Sequence, residues 1–188
     1  MTTGSKPTKS PDMNIDDNRY YMSGCFHEAG HALAALAVGA KDISVFMEPY
    51  PRCKGHTKFG YGPLNPDQTN PQHRKALQDL IFVSAAGTFA ELIFWTRQPD
   101  ELRPLERRND YGDQDHMRGY AALLETASTK AEQFIEKGQS ECDAFFVNVT
   151  NYPLLKAVAD RLFDNEAIDD PNLRALAASL DSSAIGRT

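Results

Sequence analysis

The stretch CFHEAGHALAALAVGA, residues 25–40, sets His27, Glu28 and His31 into an otherwise Ala- and Leu-rich run. On an α-helix, residues four apart stand about 40° apart in azimuth and about 6 Å apart along the axis, so both imidazoles can aim a nitrogen at one point. A zinc ion suits that point, because neutral imidazole is among its usual ligands. Glu28 lies about 100° round from His27, poorly placed to ligate and well placed beside an open coordination position. Bound zinc lowers the pKa of its water to about 7 and polarises a carbonyl, while a neighbouring glutamate carries the water's proton to the leaving amine. The chemistry this spacing points to is amide hydrolysis without a covalent intermediate. The plainer reading is two core histidines satisfied by hydrogen bonds, and it leaves the intervening glutamate unexplained.

Gly30 adds to the case. Glycine inside a helix costs about 1 kcal/mol relative to alanine, so a close neighbour is expected at that backbone. The apolar run from Leu80 to Trp95 carries a matching stripe of Ser84, Gly87, Thr88 and Glu91 at i, i+3, i+4, i+7 spacing. If the two stripes face each other, Glu91 lies near the metal, and a buried glutamate is rarely tolerated unless paired or ligating. Two histidines need a third protein ligand, which spacing alone does not choose. The candidates are Glu91, Asp110, Asp113 and Asp115, with His56, His73 and His116 behind them.

The elements that must hold these residues read as a mainly α-helical bundle with one small β-hairpin. A helix is expected from Asp16 or Asp17 to a stop at Gly39, followed by a hairpin of Asp42–Met47 and Gly55–Gly62. Asn70 and Pro71 look like the cap and first residue of a helix running to about Thr96. A long loop is expected over 98–112, then a helix from Asp113 to about Lys137, another over 141–150, a third opened by Asn151 and Pro153, and a last one from Asp170 to near Leu180. The 188 residues suit one domain, 16–182, between tails 1–15 and 183–188.

A formal net charge of −6 argues against nucleic acid as a partner, since phosphate binding needs clustered Lys and Arg. Three cysteines at irregular spacing suit free thiols in the cytoplasm. The polar N-terminus is no signal peptide, and the Leu80–Trp95 run, interrupted by Ser84, Gly87, Thr88 and Glu91, is expected as a buried core helix with no membrane span.

The segment FHEAGHALAALAVGA resembles the zinc helix of the FtsH-type peptidases, the protease module of the AAA+ membrane proteases. Gly55–Thr57 is similar to the strand after that helix, and AAGTFAELIFW (85–95) to the family's Gly-Arg-x-Ala-Glu-Glu segment. NDYGDQDHMRGYAALL falls where the family has an Asn-Asp-Leu helix, and YPLLKAVADRLFDNEAIDDPNLRAL resembles its C-terminal stretch, so the likeness runs from about Asn18 to Leu180. The resemblance implies an aspartate as third zinc ligand and Glu91 as a supporting residue behind the ligands. Asp110 matches the Asn-Asp dipeptide. Asp115 fits better with the residues C-terminal to it, Gly119 being small and Leu123 lying on its face, so the expected order is Asp115, then Asp113, then Asp110.

The ATPase and membrane parts of that family are absent from this sequence. The expectation is therefore a stand-alone zinc metalloendopeptidase with Glu28 as general base, acting on peptides or unfolded chains. A separate unfoldase or a homo-oligomer could supply what is missing, and strand Gly55–Gly60 could receive substrate as an added β-strand. The rival reading is a catalytically silent zinc-binding regulatory or interaction domain derived from a peptidase.

Overall fold

Asp16 and Asp17 in the first turn of helix α1 (Ile15–Ala37) and Gly39 just beyond its end, at φ +77°, frame the element that carries both histidines. A computed structural model of the chain describes residues 15–49, 51–61, 69–103, 111–147 and 151–180. Asp110 and the terminal tails, apart from Ile15, lie outside the described residues.

After α1 come strands β1 (Lys41–Met47) and β2 (Gly55–Gly60), antiparallel, with Val45 opposite Thr57 and Met47 opposite Gly55. The expected hairpin is present, with alternate residues Ile43, Val45 and Met47 of β1 buried, as a half-buried strand requires. A third strand, β3 (Ala167–Asp169), pairs antiparallel with the other edge of β1 and is not anticipated from sequence. At three residues it is too short to carry an alternation pattern. The sheet order is β2-β1-β3, so among the described residues β2 is an edge strand.

Helix α2 (Pro71–Thr96) begins where the sequence places it: the Asn70 side chain accepts the Gln72 amide, and Pro71 occupies the first turn. It packs on α1, on α3 (Tyr111–Leu124) and on α4 (Ser128–Val147), making it the central element. Its most apolar 18-residue window has a mean hydropathy of 1.4, enough by length and composition for a bilayer crossing, and 67% of that window is buried inside the protein. Helices α5 (Asn151–Asn165) and α6 (Asp170–Ser179) complete the described chain, α5 lying against α1.

The segmentation after residue 111 departs from expectation. The helix expected to run from Asp113 to Lys137 breaks at Glu125–Ala127, where Ala127 accepts the first amides of the next helix from Lys130 and Ala131. Conversely, α4 runs without interruption through Gly138. That glycine is buried, and a Cβ there would stand 2.7 Å from Ile81 Cγ2, so it marks a close crossing of α4 over α2 and not a helix end.

The α1–α2 contact is tighter still. A Cβ on Gly30 would stand 2.5 Å from both the Ala86 carbonyl oxygen and the Ala90 Cβ. The glycine lets the two backbones approach, as its place inside a helix suggests. Its direct partners are Ala86 and Ala90; the stripe of Ser84, Gly87 and Glu91 is set one step round, toward the histidines.

Candidate metal centre

Three side chains from two helices converge on one point. The Nε2 atoms of His27 and His31 are 3.1 Å apart, and Asp113 Oδ2 is 3.1 Å from each. The histidines come from adjacent turns of α1, and Asp113 from the first turn of α3. Sequence reasoning ranks Asp115 first, whereas the structure groups Asp113 with the two histidines and leaves Asp115 apart. Residues two apart on a helix lie about 200° apart, so only one of the two aspartates can share the buried face of α3. That face is Met117, Ala121 and Leu124, and Asp113 stands one turn before Met117 on it. Asp115 points to solvent, 73% exposed and 3.4 Å from Arg118. The residues that favour Asp115 in the sequence are on the same outer face: Leu123 is 42% exposed, and a Cβ on Gly119 would meet open space.

The donor chemistry suits a cation at this point. Val83 O lies 2.7 Å from His31 Nδ1, and because a carbonyl can only accept, Nδ1 carries the hydrogen. In the neutral ring, Nε2 of His31 then presents a lone pair toward a carboxylate oxygen and a second imidazole nitrogen, a repulsive set unless a positive charge sits among them. The spacing fits a small ion, since bonds of about 2.0–2.1 Å at tetrahedral angles put ligand atoms about 3.3 Å apart. His27, His31 and Asp113 form a group that could hold a metal ion.

Electrostatics among the protein groups agree. Burial alone would lower the His27 pKa, yet hydrogen bonding to Asp113 and Glu91, with the Glu28 and Asp113 charges, raises it to about 10. Burial likewise would raise that of Asp113, and the two histidines overcome it, holding the carboxyl well below the usual range. The two shifts are two sides of one pairing: the imidazolium of His27 and the carboxylate of Asp113 each favour the other's charged form.

Helix α2 lies behind the cluster and leaves room for it. A Cβ on Gly87 would stand 2.4 Å from His31 Nε2 and 2.6 Å from His27 Nε2, so any other residue there would collide with the rings. One turn on, Glu91 Oε2 is 3.5 Å from His27 Nδ1, and Trp95 Nε1 donates to Glu91 Oε1 at 3.3 Å. This carboxylate-behind-imidazole arrangement orients a ligating ring and makes it more basic.

Glu28 is buried and stands outside the three-donor set. The Thr57 hydroxyl lies 2.8 Å from Glu28 Oε2 and 3.1 Å from its carbonyl oxygen, tying the side chain to β2. Gly55 supplies the space, since a Cβ there would stand 2.3 Å from Glu28 Cγ. Neither Thr57 nor Gly55 is identifiable as a Glu28 partner from spacing; only the likeness of Gly55–Thr57 to the strand after a zinc helix points at this segment.

A cavity of about 450 Å³ opens over the cluster. Glu28 and the three donors line it, together with Leu80 and Val83 of α2, Phe59 and Tyr120. His116, expected as a surface residue, is exposed and also lines this cavity. Cys25 is fully buried in the core. A scan of known protein-family models gives no match to the chain, and a search of curated proteins gives none either.

Proposed function

We propose that this chain is a zinc-dependent metalloendopeptidase whose catalytic domain is of the FtsH peptidase type. His27, His31 and Asp113 are the residues that would hold the zinc, which when bound supplies an acidified water and a polarised carbonyl. Glu28 takes the proton of the attacking water and returns it to the leaving amine nitrogen. Thr57 fixes the Glu28 carboxylate for that task, and Glu91 orients His27 from behind.

The observation that carries the reading is the placement of Glu28. A buried carboxylate that takes no part in the donor cluster, yet opens onto the same cavity, has the position a general base needs. The outer edge of β2 along that cavity, unpaired among the described residues, suits an extended peptide docking as an added strand. The substrates would be peptides, exposed loops or chains already unfolded, with a separate unfoldase or a ring of copies widening the range. The three free cysteines suit a reducing, cytoplasmic setting.

The test compares wild type with Glu28→Gln on unfolded casein and on peptides, with zinc content measured in both. The expected result is equal zinc content and a cleavage rate lower by about 10²–10⁴-fold in the variant. Equal activity in both proteins refutes the role of Glu28. Tightly held zinc in a wild type that cleaves nothing would instead support the silent, metal-binding regulatory domain.

A further inference from the structure

A further buried carboxylate, unused by the chemistry above, sits on α2 beside the cavity wall. Asp79 is fully buried, and its Oδ2 receives the Tyr61 hydroxyl and the Lys75 ammonium, each at 2.5 Å. A carboxylate in the interior is costly unless its partners are held in place, and here one partner is the residue immediately after β2. The next residue along α2, Leu80, and Val83 one turn on line the cavity.

Strand β2 is thus tied at two places. Near its start, Thr57 binds Glu28 of α1; just past its end, Tyr61 binds Asp79 of α2. Between them Phe59 faces the cavity, and among the described residues no strand pairs with the outer edge of β2. An edge strand serves as a template only if its backbone is held at the right distance from the opposite wall.

Resting on the peptidase reading, we propose that Tyr61 is a substrate-positioning residue: latched to Asp79, it fixes the far half of β2 as a docking edge for extended chains. From Thr57 to Tyr61 is four residues, about 13 Å of strand. A substrate feels the latch only when it reaches about four residues beyond the reacting bond on the side that passes over Phe59. The class of substrate this selects is an extended polypeptide segment and not a di- or tripeptide.

The test uses the full zinc-loaded chain and two peptide series, each lengthened residue by residue on one side of the scissile bond. Tyr61→Phe is expected to raise KM about three- to tenfold for peptides beyond the four-residue threshold in one series, the loss of one hydrogen bond at a buried charge. Shorter peptides, kcat and zinc content should stay within about twofold of wild type. Asp79→Asn, which keeps an oxygen to accept the Tyr61 hydroxyl, should leave the long-peptide KM near the wild-type value. A uniform change across all lengths, or none at any length, overturns the proposal. Anisotropy binding of the same peptides to Glu28→Gln proteins, with and without Tyr61→Phe, reads the length threshold independently of turnover. A wild type that cleaves nothing while the threshold persists in binding would refute the peptidase reading and leave the latch standing.

Discussion

Replacing Gly87 with alanine should separate folding from metal binding. A Cβ at this position would stand 2.4 Å from His31 Nε2 and 2.6 Å from His27 Nε2, where ordinary contact begins at 3.4 Å. The rings would have to withdraw by about 1 Å, several times the ±0.2 Å within which metal–ligand distances are normally held. Losing an outer partner that merely orients a ligand typically costs 10–100-fold in affinity. Displacing two ligands together should exceed that, so a loss of at least about 100-fold, roughly 2.7 kcal/mol, is expected. The helix itself should not suffer, because alanine is favoured over glycine in a helix interior by about 1 kcal/mol. Equilibrium dialysis against buffered zinc, paired with thermal melting of the metal-free protein, measures both sides. A variant that keeps zinc affinity within about tenfold of wild type would refute the assignment of Gly87 as the space that admits the rings.

Asp113→Asn should reduce zinc affinity by more than about 100-fold while Asp115→Asn stays within about twofold, and the reverse ranking would restore the aspartate favoured by sequence. Gly30→Ala should destabilise the fold by about 1–2 kcal/mol, lowering the melting temperature by about 2–8 °C, because overpacking against Ala86 and Ala90 outweighs the gain in helix propensity. His27, with its pKa raised to about 10 in the metal-free protein, contributes stability that is full below its ordinary pKa and lost as pH climbs through 10. Zinc must displace that proton, so binding at pH 8 should release about one proton and tighten as pH rises toward 10; calorimetry in buffers of different ionisation enthalpy would show a count near zero if the raised pKa is wrong.

Local chemistry makes much of the fold legible. The Asn70 cap, the Gly39 stop and the β1–β2 hairpin each depend on residues within a few positions of one another, and each appears where the sequence puts it. Gly30 is legible as a close helix contact, but its partners are Ala86 and Ala90, not the expected stripe of Ser84, Gly87, Thr88 and Glu91, of which Gly87 and Glu91 meet the histidines instead. The helix phase of α3 is not legible. In the sequence Gly119 and Leu123 look like inward residues supporting Asp115, whereas Met117, Ala121 and Leu124 form the buried stripe. One step of phase exchanges one aspartate for another two positions away. Gly138 is ambiguous from sequence, because a glycine in mid-helix signals an end as readily as a crossing, and only tertiary packing distinguishes the two.

The donor cluster depends on partners far apart along the chain. His31 is held by Val83, the room for both rings comes from Gly87, and the third donor arrives only with Asp113, more than eighty residues after the first histidine. During synthesis the two imidazoles therefore leave the ribosome long before anything exists to complete or orient them. If the cluster holds an ion as proposed, its capture must await docking of the third helix, and a chain truncated before residue 113 would keep both histidines without the third donor.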